Sequence, residues 1–492
     1  ANSRRRARGP PQPRPVSNSR PARLGLIPGG ARHRSTDGTF PAGSGKRRRN
    51  LAISDEDRPV MGTVYQTRGN PILSVTRRLL IRGRTRREGR VRISGAKNSA
   101  VALLPACLLT DGTSVLQNVP DIADVAVQKE ILEHVGAPVA TRGDGDLEIN
   151  AAGPIGHEVP YPLAKRLRGS VLLLGALVAR VGRARVPLPG GCAIGSRPLD
   201  LHLKGLRELG AKVEIEHGHI CAEAGSLLGT EIYLDFPSVG ATENVMMAAT
   251  AARGVTVIYN AAKEPEVVDL ANFINAMGGR VVGAGTDTIK VEGGHPLRPV
   301  EYSIIPDRIE AGTYLLAGLA GGGSVTVENV IPTHLEALLA KLEEAGVELA
   351  DCGDSISARL AGRPKPLQVK TLPYPGFPTD LQPQLSAFLL LAQGTSVISE
   401  RIFEDRFGHV DELKRLGGRL ETDGRTAVIE GVERLLGSPV TATDLRMGAS
   451  LIVAGIAAEG ETLIEGVEHI QRGYERLEKK LGALGVVAEW IE

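Results

Sequence analysis

Residues 323–346 read GSVTVENVIPTHLEALLAKLEEAG. A glycine opens the stretch, Val325 and Val327 alternate with polar residues, and Leu335, Leu338, Leu339 and Leu342 follow at spacings of three and four. Alternation predicts a half-buried strand and the wider spacing a helix. The closing Gly346 suits a helix end, because glycine accepts the left-handed cap conformation. The same pattern recurs along the chain. Strands follow Gly112, Gly182, Gly254, Gly323, Gly394 and Gly460, at intervals of 70, 72, 69, 71 and 66 residues. Each strand leads into a helix ending at Gly136, Gly210, Gly278, Gly346, Gly417 or Gly485, and a short strand follows, as in Ala211–Ile215 and Arg419–Thr422. Solenoids and propellers repeat every 20–50 residues or so, so units of about 70 residues that mix strands and helices fit compact lobes better. A chain of 492 residues is too long for one core, and three units per lobe would make two lobes.

Composition narrows the class. The chain is 42% hydrophobic and 23% charged with 60 glycines, as expected of a soluble globular enzyme. Aromatics at 3% give poor support to stacking modes of nucleic-acid or sugar binding. No apolar run reaches the roughly 18–20 residues of a membrane span, and the longest, Ala100–Leu109, reads as core helix. Cys107, Cys192, Cys221 and Cys352 form no CxxC pair and have no histidine cluster nearby. That argues against zinc and a disulfide framework, and for free thiols in a reducing cytoplasm. The net charge of +3 hides an asymmetry: residues 1–90 carry 22 Lys/Arg and 5 Asp/Glu, which leaves residues 91–492 at −14. The positive excess is confined to the leader, so a nucleic-acid partner for the whole chain is not expected. Residues 1–76, with runs at Arg4–Arg6 and Lys46–Arg49 among Pro, Gly and Ser, read as a disordered basic leader. An interaction arm is the other reading, and Met61 offers an internal start.

Four features carry chemistry. The loop Pro189–Pro198 sets Cys192 among glycines, five residues from Arg197. A nearby cation lowers a thiol pKa and makes it reactive, whereas burial as a small apolar residue is the common fate of a free cysteine and suits Cys107 better. Twelve residues after the opening glycines stand Asp124, Glu266, Leu335, Arg406 and Arg472, where a helix N-terminus favours anions. Arg406 and Arg472 could converge on one anionic ligand, or be solvated surface residues. Lys97, between a strand and an apolar helix, is a compact phosphate partner. Asp380, after a proline-rich loop, could act as a base or cap the following helix.

In order, SGAKN (94–98), PGGCAIGSRPLDLH (189–202), PSVGATEN (237–244), EPEVVDLANF (264–273), PDRIEAGT (306–313), FPTDLQPQ (377–384), TDLR (443–446) and RGYERLE (472–478) resemble the motifs of the UDP-N-acetylglucosamine 1-carboxyvinyltransferases. The resemblance runs from about Leu80 to Ile491. It implies an α/β fold of two inside-out α/β barrels built from six βαβαββ repeats, the enolpyruvyl transferase fold. One lobe would cover 97–304, with a catalytic loop at 188–200. The other would combine 77–96 with 305–492.

The implied reaction transfers the enolpyruvyl group of phosphoenolpyruvate to the sugar 3-hydroxyl, the first committed step of peptidoglycan synthesis, without cofactor or metal. By the same resemblance Cys192 is the proton donor and Asp380 the base, and Lys97 and Asn98 contact phosphoenolpyruvate. Arg168, Arg197, Arg446 and Arg472 line the cleft, with Arg406 as a further cleft arginine, and Arg472 and Lys97 take part in catalysis. The nucleotide sugar would lie along Arg197, Pro198, Leu199 and Asp200, then Ser238, Val239 and Gly240, with Ile402 at the uracil end. Small-molecule substrates, no nucleic acid, no membrane, a cytoplasmic setting and a monomer are the corresponding expectations. The sequence departs from the family pattern at the basic Arg82–Thr85, at Gly169, where alanine is common, and at Phe236, where some members carry lysine. The nearest rival is 5-enolpyruvylshikimate-3-phosphate synthase, which Cys192 and the nucleotide-sugar motifs disfavour. An idle regulatory paralogue is disfavoured by Lys97, Cys192, Arg197, Asp380 and Arg472. Deleting residues 1–76, which hold no repeat or motif, should leave kcat/KM nearly unchanged. A folded truncation that loses most of its activity would give the leader a role.

Overall fold

The computed structural model describes residues 77–82, 88–143, 145–189, 195 and 198–492. The leader 1–76, and Cys192 and Arg197 of the glycine loop, lie outside them. The repeats read from residues 323–346 are present as a strand at Ser324–Glu328, a helix at Glu336–Glu344 and strands at Glu348–Asp351 and Ser355–Arg359. The six helix-closing glycines all have positive φ, from 76° to 98°. At the opening of this unit the left-handed residue is Gly322 rather than Gly323.

Each unit also owns a helix buried on all sides. In Arg308–Ala320 every residue from Ile309 onward is buried, and Lys97–Ala106, Leu173–Val181, Val239–Ala249, Gln382–Leu389 and Leu445–Ala457 are similarly enclosed. Among the described residues six sheets cover them, five of four strands and one of three. In the strands one face is buried, as at Val325 and Val327, while the alternate residues reach the surface. Helices inside and sheets outside make two hydrophobic cores. One runs from Ala96 to Ile304; the other joins Leu79–Ile93 to Ile309–Val486.

Close helix packing inside a core needs small residues. A methyl group on Gly175 would run into the carbonyl oxygen of Asn244 on the facing helix. Asn244 ties the pair together: its Oδ1 accepts from Gly175 N at 2.7 Å and its Nδ2 donates to Val171 O at 3.0 Å.

Two units exchange their first strands. Glu88–Arg92 pairs in parallel with Ser324–Glu328 of the fourth unit, and Glu301–Ser303 pairs in parallel with Thr113–Gln117 of the first, so each lies in the core opposite to the helix that follows it. The chain therefore crosses between cores twice, and the two crossings run side by side. Gly95 bridges Pro306, Ala96 N donates to Ile305 O at 2.7 Å, and Asp307 N donates to Ser94 O at 2.9 Å. A side chain at Gly95 would collide with Asn118 O, so this junction admits only glycine. The body closes on itself through Arg78–Arg82, which pairs with both Glu461–Glu465 and Ala488–Ile491 of the last unit.

No helix among the described residues is long and apolar enough to cross a membrane. Cys107 is buried, and burial pushes its thiol far up, outweighing its backbone hydrogen bond. Replacing Gly175 with alanine should cost about 1–3 kcal/mol of overpacking strain. This would show as a lower urea midpoint with an unchanged slope.

Candidate active site

The crossings deliver the first cluster. Helix Lys97–Ala106 has no side-chain cap at Ala96; instead Lys97 N donates to Asp307 Oδ2 at 3.0 Å. The other oxygen of Asp307 caps the second crossing's helix, accepting from Ile309 N at 2.8 Å and Glu310 N at 2.9 Å. One carboxylate thus fixes the start of two buried helices. Lys97 Nζ lies 3.0 Å from Asp124 Oδ2, and Arg472 grips the same carboxylate through Nε at 2.8 Å and Nη2 at 3.3 Å. Burial acts to raise the Asp124 pKa, but the Lys97 and Arg472 charges outweigh it and hold the carboxyl below its ordinary value. Asp124 belongs to one core and Arg472 to the other, so this bond joins the lobes, together with Ala123 N donating to Gln471 O at 3.1 Å.

Asp380 sits in the turn Thr379–Leu381 and does not cap the following helix, whose cap position is Leu381. Its Oδ1 accepts from Arg406 Nη2 at 2.9 Å, and its Oδ2 from Arg446 Nη2 at 2.9 Å and Nε at 3.1 Å. Both arginines are buried, at 4% and 5% exposure, so their charges act with little screening by water. Burial would lower the Arg446 pKa; Asp380 first, then Tyr474 and Asp307, reverse the effect and raise it. Buried Glu400 positions the neighbouring segment, accepting from Ile402 N at 2.8 Å and Thr379 Oγ1 at 3.0 Å.

Two other predicted stretches also come together. Leu199 and Asp200 open the helix Asp200–Glu208; Ser238 caps Val239–Ala249, with its Oγ accepting from Ala241 N at 3.4 Å. They meet at Gly240, where a Cβ would lie 2.9 Å from His202 Cε1. Pro198 and Asp200 are exposed, and Val239 is half-buried. Arg168, also half-buried, begins the turn Arg168–Leu172 beside them. At the next residue, Gly169, an added Cβ would run into Val101 Cγ1. Gly195 of the glycine loop abuts the other lobe, its Cβ position 2.5 Å from Glu404 Oε2, between Ile402 and Arg406 in the sequence.

Arg406 and Arg472 hold different carboxylates, Asp380 and Asp124. The carboxylates that hold these arginines have weaker signals in the sequence. The twelve-residue alignment put Asp124 and Glu266 in the same slot as the arginines without assigning them a role. Asp307, Glu400 and Tyr474 carried no periodic signal at all.

Replacing Asp124 with asparagine should lower stability at neutral pH by about 1–3 kcal/mol, the scale of hydrogen bonds to charged groups. Because the folded-state pKa of Asp124 is depressed, the wild-type advantage is present above the ordinary aspartate pKa and lost as pH falls through the folded value. Thermal unfolding of both proteins from neutral to acidic pH should show the two curves converging.

Residues 81–481 match the family model described as EPSP synthase (3-phosphoshikimate 1-carboxyvinyltransferase). UDP-N-acetylglucosamine 1-carboxyvinyltransferase 2 of Carboxydothermus hydrogenoformans is 52% identical over 416 residues, covering 84% of this chain and 99% of the relative. UDP-N-acetylglucosamine 1-carboxyvinyltransferase 3 of Symbiobacterium thermophilum is 53% identical over 408 residues, covering 83% and 96%. Among solved structures, the enolpyruvyl transferase NikO from Streptomyces tendae superposes with a TM-score of 0.77 at 28% identity, covering 85% of this chain and 99% of that one. EPSP synthase from Acinetobacter baumannii shares the fold, with a TM-score of 0.67 at 18% identity over 84% of this chain and all of that one. With half its body identical to relatives matched over nearly their whole length, the chain belongs to the enolpyruvyl transferase family, on its UDP-N-acetylglucosamine 1-carboxyvinyltransferase branch.

Proposed function

We infer that the chain is a transferase that moves the enolpyruvyl group of phosphoenolpyruvate to the 3-hydroxyl of UDP-N-acetylglucosamine and releases phosphate. The observation that carries this reading is the identity of 52–53% with relatives named for that activity. The rival acceptor, a phosphorylated shikimate, is supported by the description of the family model, which spans the whole family, and by a structure only 18% identical. The setting that goes with this reading is the cytoplasm, where the step would open peptidoglycan synthesis.

The clusters suit the chemistry. Lys97 and Arg472 share Asp124, and Arg406 and Arg446 share Asp380. Each pair of cations is held by one carboxylate, so each place keeps an excess positive charge for a substrate anion. Phosphoenolpyruvate carries a phosphate and a carboxylate, one for each pair. Competition for Arg406 and Arg446 would free Asp380 to take the proton of the sugar hydroxyl as its oxygen bonds to C2. The C3 carbon would gain a proton from Cys192, giving a tetrahedral phosphate ketal. Loss of a C3 proton and departure of phosphate then restore the double bond. Acid and base on opposite sides of the reacting bond are what this addition requires. Arg168, Arg197 and the residues Pro198–Asp200, Ser238–Gly240 and Ile402 would hold the nucleotide sugar.

Phosphate release from phosphoenolpyruvate with each acceptor tests the reading; release with the shikimate phosphate and not with UDP-N-acetylglucosamine would overturn it. The Cys192 role has its own test. Cys192→Ala should lose activity by about 10²–10⁴-fold, whereas Cys192→Asp, which still carries a proton, should keep substantial activity and escape alkylation by the epoxide fosfomycin. An alanine variant as active as wild type would remove Cys192 as proton donor.

A further inference from the structure

Asn98 meets the cleft from the second residue of its helix, and its amide is not free to turn. Asn98 Nδ2 donates to Glu266 Oε1 at 3.1 Å. Glu266 is 6% exposed and faces Arg308 Nη2 at 3.6 Å across the lobe boundary. All three residues line one small cleft with Asp307 and His334. A side-chain amide has one donating and one accepting end, while a carboxylate only accepts. With Glu266 on one side, the amide group must turn its NH2 that way.

The surroundings hold the carboxylate in that task. Glu243 and Glu264 crowd the same place, and both are pushed up, by burial first and by the Glu266 charge next. Glu264 Oε1 also accepts from Tyr374 N at 3.3 Å, and Arg308 lies over the Tyr374 ring at 5.6 Å. Arg308 is thus kept between the Tyr374 face and Glu266, and its charge opposes the crowding of carboxyls.

We propose that Glu266 is a positioning residue whose carboxylate, backed by Arg308, sets the Asn98 amide with its carbonyl oxygen toward the cleft. Asn98 then reads a donor on the acceptor substrate, a hydroxyl or an amide N–H, rather than the phosphoenolpyruvate anion that the family resemblance implies for it, and disfavours an acceptor group at that place. The proposal rests on the nucleotide-sugar reading, since a sugar with a free hydroxyl and an N-acetyl group supplies such donors.

The test is phosphate release with UDP-N-acetylglucosamine as the varied substrate, with thermal unfolding to confirm that each variant is folded. Glu266→Gln and Asn98→Asp should each lower kcat/KM about ten-fold or more, as expected for a lost or misdirected hydrogen bond to a charged group. The double variant Asn98→Asp/Glu266→Gln exchanges donor and acceptor, keeps the net charge and leaves an accepting oxygen toward the cleft. It should recover to within about three-fold of wild type. In an Asn98→Ala background, Glu266→Gln should cost almost nothing more, and this second cycle decides the matter if a charged variant fails to fold. A double variant no better than its worse single, or the same Glu266→Gln loss in both backgrounds, overturns the proposal. Wild-type protein that releases no phosphate with this acceptor overturns the functional reading and the proposal with it; an active wild type with either failed cycle overturns the proposal alone.

Discussion

The exchanged strands are the constraint on which the rest depends. Glu88–Arg92 and Glu301–Ser303 each complete a sheet in one core and lead into a helix of the other, so the chain must pass between cores directly after each of them. The two crossings must then run together, and Asp307 pins them by capping one helix and holding the first backbone N–H of the other. The first residues of the helices that follow the crossings lie where the two lobes meet. Lys97, Asn98 and Arg308 are there for that reason, close to Asp307, and the site is assembled where the chain passes from one core to the next. A shift in the crossing would move all of them at once.

Electrostatics around that junction is arranged as matched clusters rather than as a broad positive surface. The part of the chain from residue 91 onward carries −14, yet buried or half-buried cations line the gap, each held by a specific carboxylate. Asp124 holds two of them and Asp380 two more. Desolvated charges must be paired to be tolerated, and pairing two cations with one anion leaves a local positive excess that a substrate anion can neutralise. The Glu243, Glu264 and Glu266 group is the reverse case. There an excess of carboxyls is relieved by raised pKa values at Glu243 and Glu264 and by Arg308. Because Lys97 joins one kind of cluster and Asn98 the other, a lysine held by Asp124 and an amide held by Glu266 stand at consecutive positions.

The sequence alone determined the unit and its count. Strand alternation, helical spacing and a glycine at each helix end are short-range properties, set by backbone sterics and by which face must be buried, so six repeats could be read from residues 323–346 outward. The motifs around Lys97, Asp380 and Arg446 were likewise legible, because a family's catalytic side chains must be of particular types. What the sequence left open was decided by contacts between residues far apart in the chain. Whether Asp380 caps a helix or meets arginines depends on Arg406 and Arg446, 26 and 66 residues away. That Asp124 belongs with Arg472 depends on a contact across 348 residues. The strand exchange has no local signature, since Glu88–Arg92 would read the same paired with either core. The direction in which Asn98 points its amide is set by Glu266, 168 residues on. Local sterics make the repeats, but the pairing of buried charges is a property of the closed fold, because only there are the partners brought together and deprived of water.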